Sequence, residues 1–178
     1  MDTNDYDVLI APIKRRMASA VWRLVRDRHE TEDVVQEVLV HVVRRIDRIR
    51  EHRNPTALIL RMCVHASLDH LRKKRRAGRF LARWREGALS RPASDPPARM
   101  AAAELRDALL RALSFLPKRE GEAIVLHAVE GLDYPDTAEA MRCRESTVRV
   151  LVSKARRRLR ERFVDSAAFA EMECQSDE

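Results

Sequence analysis

An all-α fold of two small helical domains joined by a flexible linker, the second containing a helix-turn-helix, is predicted by three features of the sequence. Aliphatic residues recur at three- and four-residue spacing over most of the chain, the mark of helices with one buried face. The residues that sandwiches, barrels and glycine-rich nucleotide folds need are scarce, with four Gly, two Tyr, two Trp and four Phe among 178 residues. The periodicity lapses between Ala77 and about Pro97, where two of the four Gly and three of the seven Pro gather. A hydrophobic fraction of 45% supplies a core beneath the 35% of charged residues, which excludes wholesale disorder. The length fits one domain or two small ones and excludes a large multidomain enzyme.

In chain order, Val8, Leu9, Ile13, Met17, Ala20, Val21, Leu24 and Val25 define a first amphipathic helix, bent or restarted at Pro12 and ending near Asp27. Thr31 reads as the N-cap of a second helix, with Glu32 and Asp33 in the first turn, where the macrodipole favours acids. Its core stripe is Val34, Val35, Val38, Leu39, Val42, Val43, Ile46 and Ile49. Glu51-His52-Arg53-Asn54 forms a loop, Asn54 a cap and Pro55 the first helical residue of a third helix through Leu58, Ile59, Met62, Cys63 and Ala66 to Arg76. Residues 77–98 read as a linker with room for a short helix around Phe80 to Trp84. Twenty-odd residues reach about 70 Å extended and average about 25 Å as a coil, so the domains can contact well-separated places.

The second domain spans 99–164. Leu105, Leu109, Leu110 and Leu113 form one stripe that breaks at Ser114 to Pro117, and a helix from Pro117 to Glu130 closes on Gly131 as a left-handed cap. Asp133 caps a short helix ending near Met141, and after a turn at Arg142 to Arg144 a last helix starts at Glu145 or Ser146 and reaches at least Phe163. A short helix, a tight turn and a basic helix form a helix-turn-helix pattern, whose second helix enters the major groove. The tail, 165–178, holds five acids and no bases; it is expected to avoid DNA, and either frays or docks on a partner.

Charge is unevenly spread behind the formal net of +7. Arg61 to Arg85 holds nine Lys or Arg against Asp69 alone, and Arg142 to Arg162 holds nine more against Glu145 and Glu161. Runs such as Arg72-Lys73-Lys74-Arg75-Arg76 and Arg156-Arg157-Arg158 have no interleaved acid. Like charges without neutralising partners repel, so polyanion binding is the natural reading, driven by release of condensed counterions from phosphates. Asp33, Gln36 and Glu37, at i, i+3 and i+4, share the helix face opposite their core stripe. An acidic face of this kind repels DNA and suits a basic protein partner.

No apolar run approaches the ~20 residues of a membrane helix, and the acidic stretch Met1 to Asp7 is unlike a signal peptide, so a cytoplasmic location is expected. Cys63, Cys143 and Cys174 are far apart and lack metal-ligand spacing, and they read as buried thiols. No P-loop, HExxH or ligand-spaced His, Cys or carboxylate cluster occurs; neither a metal, a cofactor nor catalysis is expected. His41, His65, His70 and His127 read as surface or satisfied core groups.

Two stretches together resemble the extracytoplasmic-function (ECF) group of the sigma-seventy family of bacterial RNA polymerase sigma subunits. In the first domain, 1–76, Thr31-Glu-Asp-Val-Val-Gln-Glu-Val-Leu is similar to a core-polymerase-binding signature, and Ser67-Leu-Asp-His-Leu-Arg-Lys-Lys-Arg-Arg to the end of a promoter-melting helix. In the second, Leu116-Pro-Lys-Arg-Glu, Glu130-Gly-Leu-Asp-Tyr-Pro-Asp-Thr-Ala-Glu, Ser146-Thr-Val-Arg and Lys154-Ala-Arg-Arg-Arg-Leu-Arg-Glu resemble the domain that reads the upstream promoter element.

The resemblance implies an alternative sigma factor, with no catalysis of its own, that binds core RNA polymerase, recognises two elements of promoter DNA and helps melt the downstream one. It also implies control by an anti-sigma protein. Asp33, Gln36 and Glu37 would meet the coiled coil of the largest polymerase subunit. Arg61, Arg72, Lys73, Arg75 and Arg76 would hold phosphates at the minus-ten element, where Glu51, His52, Arg53 and Asn54 with His65 would line the base-contacting region. Asp69 is expected to pair with a neighbouring Arg.

At the minus-thirty-five element Thr147, Arg149, Val150, Ser153 and Lys154 would face the groove, with Arg149 able to grip guanine and Val150 able to offer a thymine methyl only apolar contact. Arg119, Arg156 and Arg157 would hold phosphates, and Val148, Leu151 and Leu159 would be core. The chain departs from the family pattern at Leu58 (usually Trp), His65 (often Asn), Thr137 (usually aliphatic), Arg142 (commonly Gly) and Leu151 (often basic). Arg142 either takes positive φ, at a cost of order 1 kcal/mol, or the turn differs. A free-standing helix-turn-helix repressor or activator with a sensing or dimerising first domain explains the second half equally well, but not the first basic patch beside an acidic face.

Overall fold

The computed structural model describes the backbone of residues 10–82 and 97–175, and side chains over 10–78, at 103 and over 105–163. Every regular element there is helical, as the spacing predicts. The helices are α1 (Lys14–Val25), α2 (Arg28–Val43), α3 (Ile46–Arg50), α4 (Pro55–Ala82), α5 (Pro97–Phe115), α6 (Lys118–Ala128), α7 (Tyr134–Ala140) and α8 (Glu145–Gln175).

Helix α1 buries Met17, Ala20, Val21, Leu24 and Val25, one stripe of a 3.6-residue period, and ends at Arg26 with φ 60°. The left-handed residue lets the Arg26 N–H return to Trp22 O at 3.2 Å. The cap of α2 differs from expectation: Asp27, not Thr31, is the N-cap, its carboxylate accepting from Glu30 N at 2.9 Å. That hydrogen bond holds the Asp27 carboxyl below the usual range. Thr31 lies one turn inside, buried against the core. Asp27, four residues earlier, satisfies the Glu30 donor in the first turn, and the helix starts there.

Asn54 caps α4 as expected, its side-chain oxygen accepting from Ala57 N at 3.0 Å behind Pro55. The helix continues past Arg76 to Ala82, taking in part of the predicted linker, because Lys, Arg and Ala propagate a helix and Gly78 alone does not stop one. The expected short helix around Phe80 is thus the end of α4; residues 83–96 lie outside the described set.

Gly131 has φ 73° and Asp133 caps α7, accepting from Asp136 N at 2.7 Å. Arg142 takes φ 50°, so this turn keeps the shape that glycine would give it and bears the strain of a Cβ. Helix α8 runs through the acidic tail to Gln175; the tail side chains and Cys174 lie outside the described set.

Helices α1, α2 and α4 enclose the first half of the core, α6, α7 and α8 the second, and α5 lies against α4 and α8. The central element is α4, which packs on α1 and α2 and also on α5, α6 and α7. One apolar cluster therefore runs without a break from Met17 through Leu60, Val64 and Leu68 to Leu126, Val148 and Ala155. The two domains are packed together, an arrangement the linker permits but its sequence does not encode. Among the described residues no helix is long and apolar enough to cross a membrane, and no group of three or more His, Cys, Asp or Glu could hold a metal ion.

Candidate functional site

Helix α2 buries Val34, Val35, Val38 and Val42, which turns Asp33, Gln36 and Glu37 outward together. All three are exposed, and among the described residues only His41, one turn on and 4.0 Å from Glu37, approaches as an ionic partner. The result is a bare acidic and amide-bearing face on a rigid helix.

The basic end of α4 is far less bare. Arg61 donates to Glu122 Oε2 at 3.0 Å and to Ala140 O at 2.8 Å. His65 Nδ1 lies 2.6 Å from the other Glu122 oxygen, and its Nε2 is 3.4 Å from Asp69. Arg72 bridges Asp69, at 2.9 Å, and Leu116 O, at 3.2 Å. Arg75 donates to Ser114 O at 2.8 Å and lies over the Phe115 ring, 4.1 Å from its centroid. Lys74 and His70 pair with Glu30 of α2. Lys73 and Arg76 are exposed. Of the six basic-face residues expected on α4, Arg61, His65, Arg72 and Arg75 thus meet the second domain, and Lys73 and Arg76 face solvent.

In the loop before α4, Glu51 and Arg53 are exposed, while His52 and Asn54 are half-buried. His52 Nδ1 accepts from Asn54 N at 3.1 Å, and the Asn54 oxygen serves as the α4 cap, so both side chains shape the loop. Arg53 reaches Glu139 of α7 at 3.5 Å. Asp69 pairs with Arg72 as expected, and also with Lys118 of α6 at 2.8 Å.

In the second domain α7, the turn at Arg142 and α8 form the helix-turn-helix. Val148, Val152 and Ala155 anchor α8 in the core, with Leu151 and Leu159 partly buried beside them. The opposite face carries Thr147, Arg149, Val150, Ser153, Lys154, Arg156 and Arg157, all exposed. Arg149 lies over the Tyr134 ring at 4.2 Å and bonds Glu145 one turn back. Arg119, at the start of α6, donates to Met141 O at 3.3 Å, where it braces the strained turn.

The sequence reading missed the acids of α6 and its end. Glu120, Glu122 and Glu130 are 6%, 2% and 7% exposed, and each takes an arginine: Arg158, Arg61 and Arg23 respectively. Burial alone pushes the Glu122 carboxyl up; the His65 hydrogen bond and the Arg61 charge outweigh it, leaving the group below the usual range. Asp69 sits low for the same balance, burial opposed by Lys118, His65 and Arg72. A usable signal was present for two of them: Glu120 and Glu122 share one helix with Ala123, Ile124, Val125 and Leu126, a segment with no solvated face. Cys63, buried on α4, has its thiol pushed up to about 12 by burial and by the Glu130 charge, which makes it inert.

An all-α frame with two basic helices, the second in a helix-turn-helix, defines a helical DNA-binding protein. The Sigma-70 region 2 model matches residues 9–77 and the Sigma-70 region 4 model residues 106–159, and the chain belongs to the ECF group of the sigma-70 family. The ECF RNA polymerase sigma-E factor of Haemophilus influenzae is 28% identical over 162 residues, covering 87% of this chain and 85% of that one. The protein of the same name from Escherichia coli K12 is 26% identical over 162 residues, covering 87% of this chain and 84% of that one. The sigma factor RpoE of Bartonella quintana, solved in complex with the anti-sigma factor NepR, shares the fold: TM-score 0.54 at 24% identity, over 90% of this chain and 98% of that one.

Proposed function

We propose that this chain is a dissociable initiation subunit that docks on core RNA polymerase through Asp33, Gln36 and Glu37 and directs it to promoters. The basic end of α4 and the loop 51–54 engage and help open the minus-ten element; α8 reads the minus-thirty-five element. The observation that carries the reading is the exposed acidic face on α2 within the same small domain as a basic α4. A free-standing DNA binder has no use for the first, and a simple partner protein none for the second. The chemistry of RNA synthesis belongs to the polymerase, so the chain works without a catalytic group, and in the cytoplasm, where polymerase and promoter are. The relative solved with NepR supports control by an anti-sigma protein.

Phosphate contacts from Lys73, Arg76, Arg156 and Arg157 supply affinity that does not depend on sequence, while Thr147, Arg149, Val150, Ser153 and Lys154 supply discrimination. The test is run-off transcription with purified core polymerase over promoter fragments, with and without the chain. Start-specific transcripts that need the chain are expected. No transcripts together with no co-elution with core enzyme would overturn the reading in favour of a free-standing regulator.

A further inference from the structure

Arg149 is not held in place by its own helix alone. It bonds Glu145 through Nε at 3.1 Å and also through Nη2, an i, i+4 pair whose side chains are 58% and 42% exposed. An exposed pair of this kind favours one geometry by only about twofold. The guanidinium also lies over the Tyr134 ring, 4.2 Å from its centroid, a contact that contributes about two- to fivefold even in water. Tyr134 is the first residue of α7, and its ring in turn stacks on the His127 imidazole of α6, with centroids 4.1 Å apart and planes 25° from parallel. His127 is itself anchored. Its Nδ1 donates to Leu132 O at 2.9 Å across the turn between α6 and α7, since a carbonyl can only accept. Imidazole, phenol and guanidinium, from three successive helices, thus touch in sequence, with a hydrogen bond fixing the inner end and a carboxylate the outer one.

We infer that His127 and Tyr134 are positioning residues for base discrimination: the column they form sets the plane of the Arg149 guanidinium, so a residue of α6, outside the helix-turn-helix, governs how sharply α8 distinguishes one base. The inference rests on the base-reading role proposed above for Arg149. Stacking engages the face of the guanidinium and leaves its N–H donors, which lie in the plane, directed past the ring. A guanine edge, with acceptors O6 and N7, can therefore replace the Glu145 oxygen without breaking the column. An arginine whose plane is already set loses little freedom on meeting that edge, and the gain falls on a base that offers two acceptors side by side. Phosphate contacts gain far less, because a phosphate accepts a cation from many directions and carries no sequence information. Without the imidazole, the half-buried Tyr134 ring regains its side-chain rotations, and the guanidinium loses its defined plane.

Two substitutions separate the imidazole's ring from its hydrogen bond. His127→Phe keeps a ring against Tyr134 and gives up the donor to Leu132 O; His127→Asn keeps a donor close to the position of Nδ1 and gives up the ring. The full-length chain first enriches its preferred duplex from an oligonucleotide pool randomised over the upstream element. Each variant is then titrated against that duplex and its single-base substitutions. His127→Asn should weaken the preferred duplex about threefold, with no loss on duplexes substituted at the base Arg149 reads and with an unchanged salt slope. His127→Phe should stay within about twofold of the unaltered chain. Added to Arg149→Ala, His127→Asn should change nothing further, since it acts through that arginine. In the free chain, proton NMR should show the Arg149 side-chain methylenes shielded by the Tyr134 ring in the unaltered chain and in His127→Phe, and not in His127→Asn.

Two variants that bind alike, whether both unchanged or both weakened, assign His127 to the turn and overturn the inference, as does the reverse pattern. A His127→Asn loss that persists in the Arg149→Ala background overturns it as well. An unaltered chain that enriches no sequence, or an Arg149→Ala loss equal at every base, overturns the base-reading role on which the inference rests. Shielding that still depends on the His127 ring would then mark the column as packing alone, a result that needs no DNA to obtain.

Discussion

Gly121 of α6 faces Leu68 of α4 so closely that a Cβ at position 121 would stand 3.2 Å from Leu68 Cδ1. The two helices come from different domains and approach closely here. A methyl group fits if Leu68 yields by a few tenths of an ångström, and Ala gains about 1 kcal/mol of helix propensity over Gly. Gly121→Ala is therefore expected to lie within about 1 kcal/mol of neutral. Gly121→Leu has no such space and should wedge α6 from α4, breaking the Arg72 to Leu116 and Arg75 to Ser114 hydrogen bonds. Thermal melts and scattering check the pair: a compact Gly121→Leu chain of unchanged melting temperature would show that the helices are not in contact.

The packing of the two domains should weaken in acid. Glu122, facing Arg61 and His65, and Asp69, facing Arg72, Lys118 and His65, both have carboxyls lowered in the packed state. A lowered carboxyl contributes stability that is fully present above its ordinary value and is lost as pH falls through the packed-state value. Compactness should hold from neutral pH to about 4.5 and fall below it, ahead of the loss of far-ultraviolet helicity. Glu122→Gln should flatten that profile. A radius that grows on raising the pH from 5 to 7 would contradict the sign.

The helices were legible in the sequence because each needs only local information: a stripe of period 3.6, Asn54 before Pro55, Asp133 before α7, Gly131 at a C-terminus. Thr31 was misread because two capping residues lie four apart and only the buried environment of the second shows which is inside the helix. The candidate site was legible as residue types and faces: Asp33, Gln36 and Glu37 point outward together, as do Thr147, Arg149, Val150, Ser153 and Lys154. Its closure was not. The run Arg72 to Arg76 has no acid in its own sequence, yet Glu30, Asp69 and the carbonyls of Ser114 and Leu116 neutralise or satisfy much of it from positions up to 44 residues away. Charge counted along the chain records repulsion between neighbours and is blind to partners that only folding delivers.

Reversing the acidic face tests the polymerase contact. Asp33 and Glu37 are exposed and make no structural bond beyond the 4.0 Å approach of His41, so Asp33→Arg with Glu37→Arg should leave helicity and melting temperature almost unchanged. Two attractive contacts become repulsive, and affinity for core polymerase should fall at least about a hundredfold. Measured by co-elution and by direct titration, an unchanged affinity would remove this face from the proposal, while DNA binding by α8 should be the same in either chain.

Arg149 is held in a defined place before any DNA arrives, stacked on Tyr134 and bonded to Glu145. Preorganisation of this kind suits a base-reading residue, since less side-chain freedom is lost when the guanidinium swings onto a base edge. An arginine that only holds phosphates, the role proposed for Arg156 exposed on the same helix, has no need of it. Arg149→Ala should thus weaken binding to the upstream element by about 1–3 kcal/mol at its preferred base and much less elsewhere. Arg156→Ala should weaken all sequences alike and make the salt slope shallower by about one. Tyr134→Leu, which removes the stack but leaves Arg149, should give an intermediate loss with the same base preference. A loss for Arg149→Ala that is equal across every base at every position would place Arg149 with the phosphate contacts, and the stack on Tyr134 would then serve only to brace α7 against α8.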